Sequence, residues 1–231
     1  MQKSLRIKRI KAYMLEHKDV TIHDLQNVID VSASTIRRDI KDLVKEGFLS
    51  EHYGSVTLVE SKPVDVLLQD RLELQLEAKE TIGKKAAAIV KPHSLIYIDA
   101  GSTTYYMIKH LKQTSITVVT NGINIALECA KHHLEVILLG GSLKSLTMAL
   151  VGDQALDSVQ HYHFDQCFMG ANGITPQGYS TPELKEGTLK KTVIKQSKHA
   201  YVLADKTKEG SIASYRFASL EDALWIHEGE E

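Results

Sequence analysis

The chain has 231 residues, of which 43% are hydrophobic and 25% are charged. This length allows one large domain or two domains of unequal size, and the apolar fraction is ordinary for a folded protein. With 28 Lys and Arg against 29 Asp and Glu, the formal net charge is −1. That sum neither indicates nor excludes a nucleic-acid partner, because charge can be segregated along the chain.

The cysteine content and the hydropathy exclude several classes of protein. Cys129 and Cys167 are too few for a disulfide framework and show no spacing typical of a zinc site. No apolar run approaches the roughly 18 residues needed to span a bilayer. The N-terminus does not have the pattern of a secretory signal. We therefore expect a cytoplasmic protein with no metal and no cofactor.

The first 58 residues predict three short helices followed by a β-hairpin. Apolar residues at helical spacing indicate the first helix between residues 5 and 16. Thr21, with Asp24 three residues later, is typical of the start of a second helix. The third helix is predicted over 32–46, and a glycine follows it. Two short strands around Tyr53-Gly54-Ser55 complete the unit.

The third helix has two distinct faces. At 100° per residue its apolar residues share one face: Ile36, Ile40, Leu43 and Val44. The opposite face carries a small hydroxyl residue and cations: Ser34, Arg37, Arg38, Lys41 and Lys45. Such a face suits a DNA major groove, where cations meet phosphates and Arg binds guanine edges. The helix charge alone favours an ordinary solvated face, because Asp39, Asp42 and Glu46 nearly cancel the cations. The order of capped helices and hairpin instead favours a winged helix-turn-helix.

Residues 31–49 resemble the helix-turn-helix signature of the DeoR family of bacterial sugar-metabolism regulators. The resemblance is carried by Ser32, Ser34, Thr35, Ile36, Arg37, Arg38, Asp39, Leu43 and Gly47. It implies that Asp39 is structural and that five side chains face operator DNA: Ser34, Thr35, Arg37, Arg38 and Lys41. The hairpin departs from the family's Arg-Val-His-Gly-Gly, since Glu51 replaces the cation and Ser55 replaces a glycine.

The remainder of the chain predicts an α/β domain. A break at residues 60–63 predicts a linker over 59–76, between a DNA-binding domain (1–58) and a second domain (77–231). Apolar strands then alternate with helices, which is typical of a mostly parallel sheet covered on both faces. The predicted strands are 94–100, 116–120, 135–141, 164–171 and 200–205. The predicted helices are 78–90, 103–111, 124–132 and 183–197.

Polar and glycine residues follow several predicted strands. The run Ala100-Gly101-Ser102-Thr103-Thr104 predicts a tight turn into a helix, whose hydroxyls and free N–H groups suit a small phosphate. The same turn is equally an ordinary strand-to-helix connection. It is neither a Walker loop nor a dinucleotide fingerprint. Because ligands bind outside the carboxyl ends of strands in open α/β sheets, we expect these ends to form one crevice.

The second domain resembles the sensor domain of the same family, which is similar in fold to ribose-5-phosphate isomerase. The likeness is carried by segments such as KETIGKKAA, IDAGSTT, VVTNGINIA and LADKTK. It implies that the phosphate of a sugar phosphate is held by Gly101, Ser102, Thr103 and Thr104. It implies that the sugar is lined by Asp99, Asn121, Gly141, Asn172, Glu186, Lys190, Asp205 and Lys208. Glu186 and Lys190 lie one helical turn apart and could instead form a surface pair.

Within the family, the region around residues 149–191 looks most like the fructose operon repressors, which implies fructose 1-phosphate as the effector. One departure is Gly187, which stands where alanine is usual. We therefore predict a repressor of a sugar operon, a fructose operon by this likeness, that is released from double-stranded operator DNA by a phosphorylated sugar. Because one helix-turn-helix makes few base contacts, we expect two copies to bind two operator half-sites, which predicts a homodimer or homotetramer. No membrane partner is expected.

Two alternatives stay open at this point. The chain could be a sugar-phosphate isomerase with an accessory DNA-binding domain. The isomerases carry paired acids where this chain has Ala171 and Asn172, which argues against catalysis, although Glu186 could act as a base. The chain could also be a regulator that has lost its sensor function.

Overall fold

A computed structural model of the chain describes residues 2–17, 19–29, 31–45, 48–52, 55–59, 68–112 and 115–229. The chain divides into two compact units, Met1–Val64 and Asp65–Glu231. Several sequence predictions fall outside the described residues. They concern the break at residues 60–63, the end of the third helix at Glu46 and Gly47, and the hairpin tip at Tyr53 and Gly54.

The N-terminal unit combines three helices with a small antiparallel sheet. Its elements are α1 (Lys3–His17), β1 (Asp19–Thr21), α2 (Ile22–Val28), α3 (Ala33–Lys45), β2 (Leu49–His52) and β3 (Ser55–Leu58). The strand order is β1-β3-β2. The predicted helix-turn-helix is confirmed. Strand β1 was not predicted, because three residues are too few to show a strand periodicity.

The predicted cap of α2 is present as a reciprocal pair of hydrogen bonds. The Asp24 N–H donates to Thr21 Oγ1 at 3.1 Å, and the Thr21 N–H donates to an Asp24 carboxylate oxygen at 2.9 Å. These bonds satisfy donors that the first turn of a helix otherwise leaves unpaired. The side-chain signal in the sequence therefore predicted the start of α2 correctly.

The core of the N-terminal unit lies under the apolar face of α3. Ile36, Ile40 and Leu43 are fully buried, as the helical spacing predicts. They pack with residues of the other two helices and the sheet, among them Ile10, Met14, Leu25 and Val56. Val44, predicted on the same face, is 38% exposed. It lies 80° from Ile36, at the edge of the apolar stripe, where the core no longer reaches it.

The second unit is a three-layer α/β domain. Its first elements are α4 (Leu68–Glu73), α5 (Leu76–Ala88), β4 (Leu95–Ile98), α6 (Ser102–Tyr105), a 3₁₀ turn (Ile108–His110), β5 (Thr117–Thr120), α7 (Ile123–Lys131) and β6 (Glu135–Leu138). There follow β7 (Ser142–Lys144), β8 (Ala149–Val151), α8 (Asp153–Gln160), β9 (Phe164–Gly170), β10 (Gly173–Thr175) and β11 (Gly178–Thr181). The last are α9 (Leu184–Lys195), β12 (Ser197–Leu203), a 3₁₀ turn (Lys206–Lys208), β13 (Tyr215–Ala218) and β14 (Leu224–Ile226).

A six-stranded sheet organises this unit. Its order is β14-β12-β9-β4-β5-β6, and every pairing is parallel. Apolar cores lie on both of its faces, one around Tyr97 and Phe164 and the other around Ile96 and Phe168. The predicted parallel sheet is confirmed, and it brings the carboxyl ends of β4, β5, β9 and β12 to one edge.

Several elements differ from the predictions. The helix predicted over 103–111 is one turn, α6, followed by a 3₁₀ turn. The hairpin β7–β8, helix α8 and the antiparallel sheet β10-β11-β13 were not predicted. Helix α4 lies inside the segment predicted as a linker, and Tyr106 Oη donates to Leu72 O at 2.9 Å, which ties α4 to the sheet domain. Among the described residues, no helix is long and apolar enough to cross a membrane.

Candidate functional site: a helix face and a two-part crevice

The polar face of α3 is the candidate DNA interface. Arg37, Arg38, Lys41 and Ser34 are exposed, and Thr35 is half-buried. Ser32 Oγ lies 3.0 Å from Ser34 Oγ and 2.9 Å from Thr35 Oγ1, so the three hydroxyls form one cluster at the start of the helix. Four of the five predicted DNA-facing residues are therefore exposed, and Thr35 lies at the margin of the surface.

Two acids of α3, Asp39 and Asp42, pair with α1. Asp39 is fully buried and accepts two hydrogen bonds from the Arg6 guanidinium, from Nη2 at 3.1 Å and from Nε. Asp42 accepts from Lys3 Nζ at 2.8 Å, and this contact lowers the pKa of Asp42; the charges of Lys45 and Arg38 lower it further. Asp39 is therefore absent from the polar face of α3, whereas Asp42 lies near its cations. Arg6, although a cation of the N-terminal segment, is buried and binds Asp39 within the N-terminal unit.

The hairpin departure at Ser55 has a structural explanation. Ser55 Oγ donates to an Asp19 carboxylate oxygen, and Thr57 Oγ1 donates to the same oxygen at 3.1 Å. Both contacts join β3 to β1. The other departure, Glu51, is exposed on β2. The serine that replaces a glycine therefore fastens the sheet of the N-terminal unit.

In the second unit, strand ends meet at a crevice with two adjoining cavities. The first, which we call the polar cavity, has about 330 Å³ of empty space, part of it open to solvent. The second, the cationic cavity, has about 450 Å³, also partly open to solvent. Arg71, Gly101 and Gly170 line both cavities, so one ligand can occupy both.

The floor of the polar cavity is a buried ion pair. Lys190 Nζ contacts an Asp99 carboxylate oxygen and also donates to Gly170 O at 3.0 Å. The Gly170 N–H donates to the same carboxylate at 3.1 Å. Lys190 therefore pairs with Asp99 across the sheet edge and not with Glu186 on its own helix.

Glu186 also lines the polar cavity, which excludes the surface-pair interpretation. Its carboxylate accepts from Thr147 Oγ1 at 2.9 Å and from Lys144 Nζ at 3.3 Å. Its side chain is only 11% exposed. These contacts fix the side chain at the wall of the cavity, where its oxygens can accept hydrogen bonds from hydroxyl groups.

Two asparagines complete the polar cavity. Asn121 Oδ1 accepts from the Ala100 N–H at 3.1 Å, and its Nδ2 donates to Leu150 O at 3.2 Å, so it holds two loops together. Asn172 Oδ1 accepts from Thr181 Oγ1 at 3.3 Å. The described residues that line it are Arg71, Asp99, Ala100, Gly101, Asn121, Thr147, Ala149, Gly170, Asn172, Thr181, Glu186 and Lys190.

The cationic cavity gathers three basic side chains around one acid. Arg71, Lys79 and Lys208 line it together with Asp205. Lys79 Nζ donates to Leu74 O at 2.7 Å and to Arg71 O, which leaves one of its three N–H donors for a ligand. Burial, the largest cause, lowers the pKa of Lys79 to about 7; Asp205 opposes this shift, while Arg71 and Lys208 reinforce it. Burial likewise lowers the pKa of Lys208. An anion would relieve this excess of positive charge.

The turn after β4 contributes hydroxyls to the cationic cavity. Ser102 and Thr103 line it, but Thr104 lines neither cavity. Thr104 Oγ1 donates to Asp99 O at 2.7 Å, and it accepts from the Gly101 N–H at 3.1 Å. Its hydroxyl is therefore used to shape the turn. Because α6 is a single turn, its dipole adds little, and the attraction for an anion comes from the basic side chains.

Two predicted residues thus lie apart from the cavities: Thr104 and Gly141. A Cβ on Gly141 would come within 2.8 Å of Val151 O, and its φ is +142°, so this glycine permits the close approach of β8. The sequence predictions missed Arg71, Lys79, Thr147 and Thr181. Arg71 lies in a stretch without a clear pattern, and nothing local separates Lys79 from the other lysines of α5.

A helix-turn-helix unit joined to an α/β unit with a ligand crevice defines a transcription regulator that senses a small molecule. The family model for the DeoR-like helix-turn-helix domain matches residues 6–62, and that for the DeoR C-terminal sensor domain matches residues 74–228. The chain belongs to the DeoR family.

Curated relatives agree with this assignment. The uncharacterized HTH-type transcriptional regulator FruR of Bacillus subtilis is 38% identical over 213 residues, which is 91% of this chain and 85% of the relative. The B. subtilis regulator IolR is 31% identical and covers 94% of this chain and 87% of its own. The glycerol-3-phosphate regulon repressor of Escherichia coli is 30% identical and covers 87% and 81%. The chain is a transcriptional repressor of sugar metabolism of the DeoR type, and not an enzyme.

Solved structures show likeness of fold alone. Ribose 5-phosphate isomerase from Plasmodium falciparum aligns at 16% identity and a TM-score of 0.43, over 58% of this chain and about half (52%) of the isomerase. The translation initiation factor eIF-2B of Pyrococcus horikoshii aligns at 12% identity and a TM-score of 0.51, over 99% of this chain and 82% of its own.

Proposed function

We propose that the N-terminal unit binds operator DNA through α3 and that the second unit, Asp65–Glu231, binds a phosphorylated sugar, which releases the operator. The observation that carries the proposal is the pairing of a cationic cavity with a polar cavity. A phosphate fits beside Arg71, Lys79 and Lys208, and the hydroxyls of the sugar fit against Asp99 and Glu186. Fructose 1-phosphate is the favoured effector, because residues 149–191 resemble the fructose operon repressors.

Release of the operator follows from linkage. A sugar phosphate that binds the DNA-incompetent arrangement more tightly shifts the population away from the operator. A coupling free energy of about 1–3 kcal/mol changes DNA affinity roughly 5- to 150-fold. We propose a homodimer or homotetramer, since one recognition helix offers few base contacts and two copies read two half-sites.

A thermal-shift screen of hexose and pentose phosphates tests the sensor half of the proposal. At 100 times its dissociation constant, a ligand stabilises the folded protein by about 2.7 kcal/mol, which raises the melting temperature measurably. We expect fructose 1-phosphate to give the largest rise and fructose itself to give none. If no phosphorylated sugar raises the melting temperature, the sensor proposal is wrong, and a regulator without sensor function is the better description.

Arg37→Ala tests the DNA-binding half. We expect a loss of about 1–3 kcal/mol per half-site, because an arginine at this place on a recognition helix is suited to base and phosphate contacts. Fluorescence anisotropy on an operator selected from a genomic library measures it. Arg216→Ala is the matched control, since Arg216 is an exposed arginine of β13. Equal affinities of the two variants would remove α3 from the interface.

Effector affinity is expected to depend on pH through Lys79. Its pKa is about 7 in the free protein, and a bound phosphate dianion raises it, so binding takes up a proton. Affinity should therefore fall as the pH rises above 7, by up to about tenfold per pH unit. Calorimetric titrations between pH 7 and 8 measure the slope. Lys79→Arg keeps its charge in this range and should flatten the profile; an unchanged slope in that variant would contradict the assignment.

A further inference from the structure

We propose that the crevice selects sugar monophosphates over sugar bisphosphates, and that Glu186 is the residue that rejects a second phosphate. This inference rests on the proposed function, since it concerns the same crevice. It adds a charge rule for the effector that neither the fold nor the family assigns.

The two cavities differ in charge. Among the described residues, the cationic cavity has three basic side chains against one acid, Asp205, which favours one phosphate dianion. The described lining of the polar cavity has the acids Asp99 and Glu186 and, apart from the shared Arg71, one basic residue, Lys190. When Arg71 pairs with the phosphate in the cationic cavity, the other end of the ligand meets two acids against one base.

The cations near the polar cavity are already engaged. Lys190 is bound by Asp99 and by Gly170 O at 3.0 Å. Lys144 lies between two carboxylates, 2.7 Å from Glu183 and 3.3 Å from Glu186. A phosphate placed here would have to compete with these carboxylates for their cations. Hydroxyl groups have no such conflict, because they donate hydrogen bonds to the carboxylates.

Glu186 is the acid whose charge acts most directly on the far end of a ligand. Asp99 contacts Lys190 directly, while Glu186 shares Lys144 with Glu183, so those three groups keep a net negative charge. Glu183 binds the same lysine but does not line the cavity. Glu183→Gln is therefore the matched control for Glu186→Gln. Both variants remove one negative charge beside Lys144, but Glu183 lies one helical turn from Glu186 and outside the crevice.

The test compares matched sugars on the purified full-length chain. Dissociation constants are measured by calorimetry for fructose 1-phosphate against fructose 1,6-bisphosphate, and for glucose 6-phosphate against glucose 1,6-bisphosphate. The wild-type chain should bind the better monophosphate at least about 100-fold more tightly than its bisphosphate, since like charges in a partly buried site repel strongly. Glu186→Gln should reduce that ratio at least about tenfold, and Glu183→Gln should leave it within about threefold. The ratio is unaffected by losses common to both sugars.

The outcomes separate this inference from the proposed function. A wild-type chain that binds bisphosphates as tightly as monophosphates overturns the charge rule and leaves the sugar-phosphate sensor intact. A ratio that Glu186→Gln does not change removes Glu186 from the rule, as does an equal change in Glu183→Gln. If no phosphorylated sugar binds at all, both the proposed function and the charge rule are wrong.

Discussion

Asp39→Ala is expected to lower the free energy of unfolding of the N-terminal unit by about 3–5 kcal/mol and to abolish operator binding. Asp39 is 0% exposed, and its carboxylate holds a guanidinium that is itself buried. Breaking a buried pair from one side is strongly destabilising, because the remaining buried group loses its charge-assisted hydrogen bonds. Since Asp39 lies on α3 beside the DNA-facing residues, the recognition helix would lose the buried contact that holds it against α1.

Asp42→Ala is the matched control. Asp42 lies on the same helix and also pairs with α1, but Lys3 is exposed and the pair is screened by solvent. Thermal unfolding of the full chain should show a large loss for Asp39→Ala and a small one for Asp42→Ala. The double variant Arg6→Met, Asp39→Leu removes both charges and should recover much of the stability. Equal losses for the two single variants would show that the buried pair has no special role.

Arg71→Met is expected to weaken sugar-phosphate binding about 10- to 150-fold, because each hydrogen bond to a charged group contributes about 1.5–3 kcal/mol. Arg71 lines both cavities, so it can meet the phosphate where the ligand passes from one to the other. DNA affinity without effector should stay unchanged. Arg216→Met, an exposed arginine outside the crevice, serves as control. Wild-type effector affinity in Arg71→Met would place the phosphate elsewhere.

Periodicity in the sequence predicted the helix faces well and their partners poorly. The spacing of Ile36, Ile40 and Leu43 sets one face of α3, and all three are fully buried. The helical spacing could not show that Asp39 is buried, because its partner Arg6 lies 33 residues away on another helix. A buried charge is identified only when the element that neutralises it is in place.

The residues of the candidate crevice also fall into two groups, those that the sequence predicted and those that it did not. Its strand-end residues, such as Asp99, Asn121 and Asn172, were predictable because parallel strands end at one edge of the sheet. Arg71 and Lys79 were not predictable from the sequence. They lie on α4 and α5, which precede β4, the first strand of the six-stranded sheet, and reach the crevice only through tertiary packing. Gly187 is a similar case: the ring of Tyr215, 28 residues later, lies 2.0 Å from where a Cβ would be, so alanine does not fit.

The most direct test of effector-controlled DNA binding measures operator affinity with and without the effector. Fluorescence anisotropy of the full chain on its selected operator is recorded at saturating concentrations of the sugar phosphate that most raises the melting temperature. We expect a 5- to 150-fold weaker operator complex for the wild-type chain, and for Arg71→Met the same weakening only at effector concentrations about 10- to 150-fold higher. An operator affinity that a bound sugar phosphate leaves unchanged, or makes tighter, would contradict effector-controlled DNA binding.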